Sequence, residues 1–314
     1  MLWGVGGSVM TGSRAPWLVV LAGAVLLTAC STAQGPPSTA TASQTKAAAD
    51  SSGGSASPAT SPGSLHMLVV GDSIPASQFC SGCSVFPDQY RAELANKTHR
   101  QVDLVNLARN DGAQLGDILT QVTKDPSTQA EIKRSHILIV SAGYNDAFPL
   151  FVPGRPGCTG TVANDDATEV AYVLAATHPC LDSAIKSYAK DYDTLFSSLE
   201  SQAPVGGLRI ALNVFDQSID FPPFNKYTPT AALTTRFNAT LAYTYTQWNK
   251  MLCERAAAHG FVCLDVYHAI NWPNGLVSAN AYTGDDGAHP SQKGHDLIAS
   301  LLSKVDATSV ANAP

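Results

Sequence analysis

The sequence predicts an α/β domain of three layers, a five-stranded parallel sheet held between two layers of helices. Three observations predict it. Five short runs rich in Val, Ile and Leu, at 65–70, 102–107, 136–142, 208–215 and 261–266, have the length and continuous apolarity of strands buried on both faces. Helix-length stretches lie between or after them, at 87–98, 114–122, 181–201, 231–259 and 291–305, which is what parallel strands need as crossovers. The first run ends at Gly71-Asp72-Ser73, where Gly71 permits a sharp exit and Ser73 falls at the carboxyl edge of the sheet. Open α/β sheets bind their ligands at that edge.

The chain has 314 residues, and its first thirty read as addressing rather than fold. Arg14 precedes an apolar stretch, 17–27, that is too short to span a bilayer comfortably. Leu27-Thr28-Ala29-Cys30 follows and resembles a bacterial lipobox, which makes Cys30 the expected site of lipidation and the new N-terminus. An ordinary cleavable leader or a retained anchor is the plainer alternative, and all three readings export the protein. Residues 1–29 are thus a lipoprotein signal peptide, and 30–64, almost wholly Ala, Ser, Thr, Gly and Pro, are a flexible tether. The folded domain is expected over 65–306, with a C-terminal tail at 307–314.

Within the domain, Pro87 suits a first helical turn, Gly260 a helix stop, and Ser291 an N-cap. Two segments break the alternation: 147–179, rich in Gly, Pro and Thr, and 217–229, with Phe221-Pro222-Pro223-Phe224. Both follow strand ends, so both are expected as irregular loops over the same edge as Ser73.

Net charge is −6 and only 14% of residues are charged, which argues against a nucleic-acid partner. Seven cysteines suit an exported protein. Without Cys30, six remain, with 15 possible pairings. They fall into three local couples, so the expected bridges are Cys80–Cys83, Cys158–Cys180 and Cys253–Cys263. Cys80-Ser81-Gly82-Cys83 also fits a redox CxxC, but such a motif opens a helix after a strand, and here Ser73 holds that place.

A serine hydroxyl needs a base to become a nucleophile, commonly a histidine oriented by a carboxylate. Of eight histidines, His289 lies in Asp286-Gly287-Ala288-His289-Pro290. An offset of three in a Gly-containing loop lets Asp286 fold back on Nδ1 and leaves Nε2 to face Ser73; Asp285 is a rival at an offset of four. Acyl transfer also needs donors for an oxyanion. Asn145, in Gly143-Tyr144-Asn145-Asp146 past the third strand, offers a side-chain amide, and Gly112, past the second, offers an unobstructed N–H. Each stretch alone also reads as a plain polar turn. No metal-ligand spacing is present, and His178 and His295 read as loop and surface residues.

Together the four stretches resemble the SGNH hydrolase family, the GDSL esterases and lipases. Its Gly-Asp-Ser, Gly, Gly-x-Asn-Asp and Asp-x-x-His-Pro blocks occur in order at Gly71-Asp72-Ser73, Gly112, Gly143–Asp146 and Asp286–Pro290. The resemblance covers roughly 65–305; Ile74 stands where Leu is frequent. It implies Ser73 as nucleophile, His289 as general base and then acid, and Asp286 as its orienting carboxylate. It further implies an oxyanion hole from Ser73, Gly112 and Asn145, with Asp72 and Asp146 supporting loop geometry. The implied sheet order is the flavodoxin-like 2-1-3-4-5, and no metal or organic cofactor is implied.

The expected protein is therefore a lipid-anchored, outward-facing serine esterase or lipase of the cell envelope, monomeric, acting on acyl lipids or short-chain esters. A carbohydrate O-acetyl esterase or acyltransferase is the enzymatic alternative. A lipid- or glycan-binding lipoprotein on a hydrolase scaffold is the non-enzymatic one. Phe148, Phe151, Tyr172, Phe221 and Phe224 are candidates to line an acyl groove or to pack the two loops down.

Overall fold

The computed structural model of the chain describes residues 63–76, 79–147, 158 and 165–311. Cys30, the tether up to residue 62, Phe148 and Phe151 lie outside them. The five strands are β1 (Leu65–Gly71), β2 (Val102–Ala108), β3 (Ile137–Ser141), β4 (Leu208–Leu212) and β5 (Val262–Leu264). All pairings are parallel, and the order is β2-β1-β3-β4-β5. β1 lies between β2 and β3, with Gly71 level with Ala108 on one side and with Ser141 on the other. The ends of the first three strands therefore meet at one point of the carboxyl edge. Burial follows the pattern in the sequence: every residue of β3 is buried, while Val262 on the edge strand β5 is exposed.

Helix α1 (Phe86–Thr98) packs with α10 (Gln292–Leu302). Helices α2 (Leu115–Lys124), α3 (Pro126–Arg134), α6 (Ala189–Gln202) and α8 (Ala231–Ala258) form a second contiguous group. Right-handed crossovers between parallel strands put the two groups on opposite faces of this sheet. The three layers and the strand order match the fold that the sequence implies.

Several elements differ from the sequence reading. Helix α3 was not expected, although Asp125-Pro126 opens it in a recognisable way: the Asp125 carboxylate accepts the N–H groups of Ser127 and Thr128, and Pro126 occupies the first turn. The stretch 181–201 is two helices, α5 (His178–Lys186) and α6, turned about Ser187-Tyr188. The turn seats the Tyr188 ring edge-on against Trp248 of α8, with centroids 4.7 Å apart. The segment 147–179 is not wholly irregular, because α4 (Asp166–Ala175) forms behind an Asp165 cap that accepts the Thr168 N–H. Short helix α7 (Pro222–Asn225) likewise interrupts 217–229.

Strand β4 ends early because Asn249 of α8 takes over from the ladder, accepting the Val214 N–H at 2.8 Å and donating to its carbonyl at 2.7 Å. After β5 the chain turns into α9 (Val266–Asn271), whose cap Asp265 accepts the His268 N–H. The final helix, α11 (Thr308–Ala311), falls in the segment expected as a tail and buries Val310.

Two hydrophobic clusters result among the described residues. The main one fills both sides of the sheet. The second joins Val170 and Val173 of α4, Leu181 of α5, Ile219, Phe224, and Phe237 and Leu241 of α8. Phe224 thus packs its loop down rather than lining a groove. The three disulfides are the expected local couples, Cys80–Cys83, Cys158–Cys180 and Cys253–Cys263.

Candidate active site

Ser73 follows β1 at the point where the three strand ends converge. Its neighbour Asp72 is fully buried and accepts hydrogen bonds from the N–H groups of Ile74 (3.2 Å) and Tyr144 (3.1 Å) and from the Ser141 hydroxyl (3.2 Å). One carboxylate thereby locks the exit of β1 to the exit of β3. Burial pushes its pKa up to about 7; the bonds from Tyr144, Ile74 and Ser141 oppose that rise, and the charge of Asp146 adds to it.

The turn after β3 depends on Gly143. It has φ of +108°, and a Cβ there would sit 2.0 Å from the Tyr192 hydroxyl, which donates to the Ala142 carbonyl at 2.8 Å. This turn carries Asn145 and Asp146. The Asn145 side-chain amide donates to the Ala113 carbonyl at 2.9 Å, and the Asp146 carboxylate accepts the Leu115 N–H at 2.7 Å at the start of α2. The segments bearing Gly112 and Asn145 are therefore tied together twice. The amide keeps a second N–H beyond the one given to Ala113.

His289 reaches the same edge from the loop before α10. Its Nε2 is 2.8 Å from Ser73 Oγ, and its Nδ1 is 2.6 Å from Asp286 Oδ2. The other Asp286 oxygen accepts the N–H groups of Ala288 (2.9 Å) and His289 (3.0 Å). Asp286, not its neighbour Asp285, meets the imidazole. Partial burial alone would raise the Asp286 pKa, but these N–H groups and the imidazole outweigh it and hold the carboxyl below its ordinary range. An ionised acceptor at Nδ1 fixes the ring proton there and leaves Nε2 free to accept from the Ser73 hydroxyl.

Tyr144 was not singled out by the sequence. Its buried hydroxyl donates to the Ala288 carbonyl at 2.6 Å, joining the turn after β3 to the loop that carries His289. Only its place inside the Gly143–Asp146 stretch hinted at a role. Phe221 lies against the same loop, since a Cβ on Gly287 would be 2.7 Å from its ring. Tyr172 stands on α4. His295 is corrected: it is not a surface residue but is buried beside Phe86, whose N–H it accepts at 3.4 Å, and burial pushes its pKa down to about 4. His178 opens α5 and stacks on Tyr243. Among the described residues, no group of three or more His, Cys, Asp or Glu side chains is placed to hold a metal ion.

The profile of the GDSL-like lipase/acylhydrolase family matches residues 69–297, most of the chain and all four site segments. The chain belongs to that family. GDSL-like hydrolases act on esters, and this chain is a hydrolase of that kind. Solved structures similar to this GDSL-like hydrolase include a lipase from a goat rumen metagenome, at 15% identity and a TM-score of 0.54, covering 76% of this chain and 95% of that one. An extracellular lipase from Streptomyces rimosus is similar at 18% identity and a TM-score of 0.48, covering 77% and 100%. An acetyl-xylooligosaccharide esterase from Geobacillus is similar at 13% identity and a TM-score of 0.47, covering 78% and 97%. At these identities the likeness is one of fold. Among curated proteins, none matches the sequence.

Proposed function

We propose that this GDSL-like hydrolase is an exported serine esterase, anchored through Cys30, that cleaves acyl lipids or short-chain esters of the cell envelope by way of an acyl-enzyme on Ser73. The observation that carries the reading is the unbroken hydrogen-bonded chain from Ser73 Oγ through His289 to Asp286, at 2.8 and 2.6 Å. In the reaction, His289 Nε2 takes the Ser73 proton as Oγ attacks the ester carbonyl carbon. Asp286 stabilises the imidazolium so formed without taking its proton. The carbonyl oxygen becomes an oxyanion, for which the Ser73 and Gly112 N–H groups and the second Asn145 amide N–H are the donors. Collapse breaks the bond to the leaving alcohol, which receives the proton from His289. Water then attacks the acyl-enzyme by the same steps in reverse roles, releasing the acid and restoring Ser73.

The test is hydrolysis of p-nitrophenyl esters from acetyl to palmitoyl by wild type and Ser73→Ala, with phosphonate labelling of Ser73 beside it. Activity that vanishes in the variant, with a defined chain-length optimum, supports the reading. Activity that survives Ser73→Ala overturns it. Activity confined to acetyl esters moves the substrate to acetylated carbohydrate. Labelling of Cys30 by a radioactive fatty acid in producing cells tests the anchor, and a Cys30→Ala chain that retains the label refutes it.

A further inference from the structure

Phe79 lies flat on His289. The ring centroids are 3.6 Å apart and the planes are 5° from parallel, yet the phenyl group is 39% exposed, so the core does not hold it there. The segment that follows does. Cys80 and Cys83 are disulfide-bonded and the Cys83 N–H donates to the Cys80 carbonyl, closing a tight turn directly after Phe79. Ser84 then ties this turn to both adjoining helices. Its N–H donates to Gln292 of α10 at 2.9 Å, and its carbonyl accepts from Gln89 of α1 and again from Gln292. Helix α10 begins three residues after His289, so the turn bearing Phe79 and the loop bearing the imidazole share one anchor.

We infer that Phe79 is a positioning residue for His289, presented by the Cys80–Cys83 turn; this rests on reading Ser73, His289 and Asp286 as the reacting groups. The imidazole makes its two hydrogen bonds in its own plane, and a ring laid on one face checks rotation out of that plane. The same contact acts on charge. An aromatic face carries negative potential, so it stabilises the imidazolium that forms when His289 takes the Ser73 proton. At a partly exposed site such a contact corresponds to about two- to five-fold in rate. The CxxC spacing that a redox motif would share is thereby given a structural use at the active site.

A plain packing role would need only apolar cover, which leucine supplies without an aromatic face. The test therefore compares Phe79→Leu, Phe79→Trp and the pair Cys80→Ser/Cys83→Ser in the full chain. Two measurements are made: p-nitrophenyl butyrate kinetics from pH 5 to 9, and the rate of Ser73 phosphonylation by a fluorophosphonate. Phe79→Leu is expected to lower kcat and the phosphonylation rate about two- to five-fold with KM unchanged, and to move the acid limb of kcat/KM to lower pH by about 0.3 to 0.7 unit. Phe79→Trp restores both. The Cys pair lowers kcat at least as far, and adding Phe79→Leu to it changes little more, because the ring is already released. If wild type labels at Ser73 while Phe79→Leu keeps the wild-type rate and pH profile, or changes KM alone, the positioning role is overturned and the esterase reading stands. If wild-type Ser73 does not label, both fall.

Discussion

Replacing Tyr144 by phenylalanine removes one oxygen atom and, with it, the 2.6 Å hydrogen bond to the Ala288 carbonyl. The ring itself stays, packed at a tilt on Phe215 with centroids 5.1 Å apart, so no cavity opens. A hydrogen bond of this kind contributes about 0.5–1.5 kcal/mol net, and an acceptor left without its donor adds a desolvation penalty of about 1–3 kcal/mol. Ala288 is only partly buried and water can reach it, so the expected loss is at the low end, about 1–2 kcal/mol. The hydroxyl is available as a donor at every working pH, because burial first and the charge of Asp72 next push its pKa well above the ordinary range.

The peptide concerned links Ala288 to His289, and its N–H is the one that Asp286 accepts at 3.0 Å. Tilting that peptide moves the imidazole against Ser73. A misplacement of 1 Å in a reacting group costs about 10²-fold in rate, and a fraction of that shift predicts a fall in kcat of about ten-fold with KM little changed. Urea unfolding and p-nitrophenyl butyrate kinetics on Tyr144→Phe measure the two effects side by side. A stability loss with kcat within two-fold of wild type would refute the link between this bond and His289.

Three further changes bear on other parts of the site. Asn145→Ala removes the amide that donates to Ala113 and is proposed for the oxyanion; kcat should fall about 10²–10³-fold, and a loss below ten-fold would exclude it as a main donor. Gly287→Ala places a Cβ at φ of +69° and 2.7 Å from Phe221, so destabilisation of at least about 1–2 kcal/mol is expected. A thermal melt unchanged from wild type would show that the loop accommodates the methyl group. Asp216 is buried with Oδ2 unpartnered among the described residues, and burial, opposed by bonds from Ser218, pushes its pKa up to about 7. The folded state then keeps this proton to a higher pH than the unfolded chain does. Wild-type stability should fall as pH rises from about 4 to 7, by at most about 4 kcal/mol from this group, and level off above. Asp216→Asn should flatten that decline in urea titrations at pH 5 and 8, and an unchanged difference between the two pH values would refute it.

What the chain alone made readable is local in origin. Apolar runs of strand length, Gly71 at the end of one, and an Asp286-to-His289 offset of three are short-range patterns, and short-range sterics and hydrogen bonding determine their geometry. Cysteine couples 3, 22 and 10 residues apart likewise left few sensible pairings. Elements were missed where local cues competed: the Gly- and Pro-rich start of 147–179 masked α4, and continuous helical character hid the turn at Ser187-Tyr188, which the packing of Tyr188 on Trp248 requires. Which side chains meet across the sheet edge was decided by tertiary structure. Ser73 and His289 are 216 residues apart, and only the likeness of their two blocks to one family linked them in the sequence; Tyr144 and Ala288 are 144 apart, and nothing in either neighbourhood encodes the other. Their meeting depends on a strand order that brings the ends of β1, β2 and β3 together. The same holds for Phe79 on His289, and for the burial that raises Asp72 and Asp216. Solvent exclusion belongs to the packed whole, and no short stretch of chain carries it.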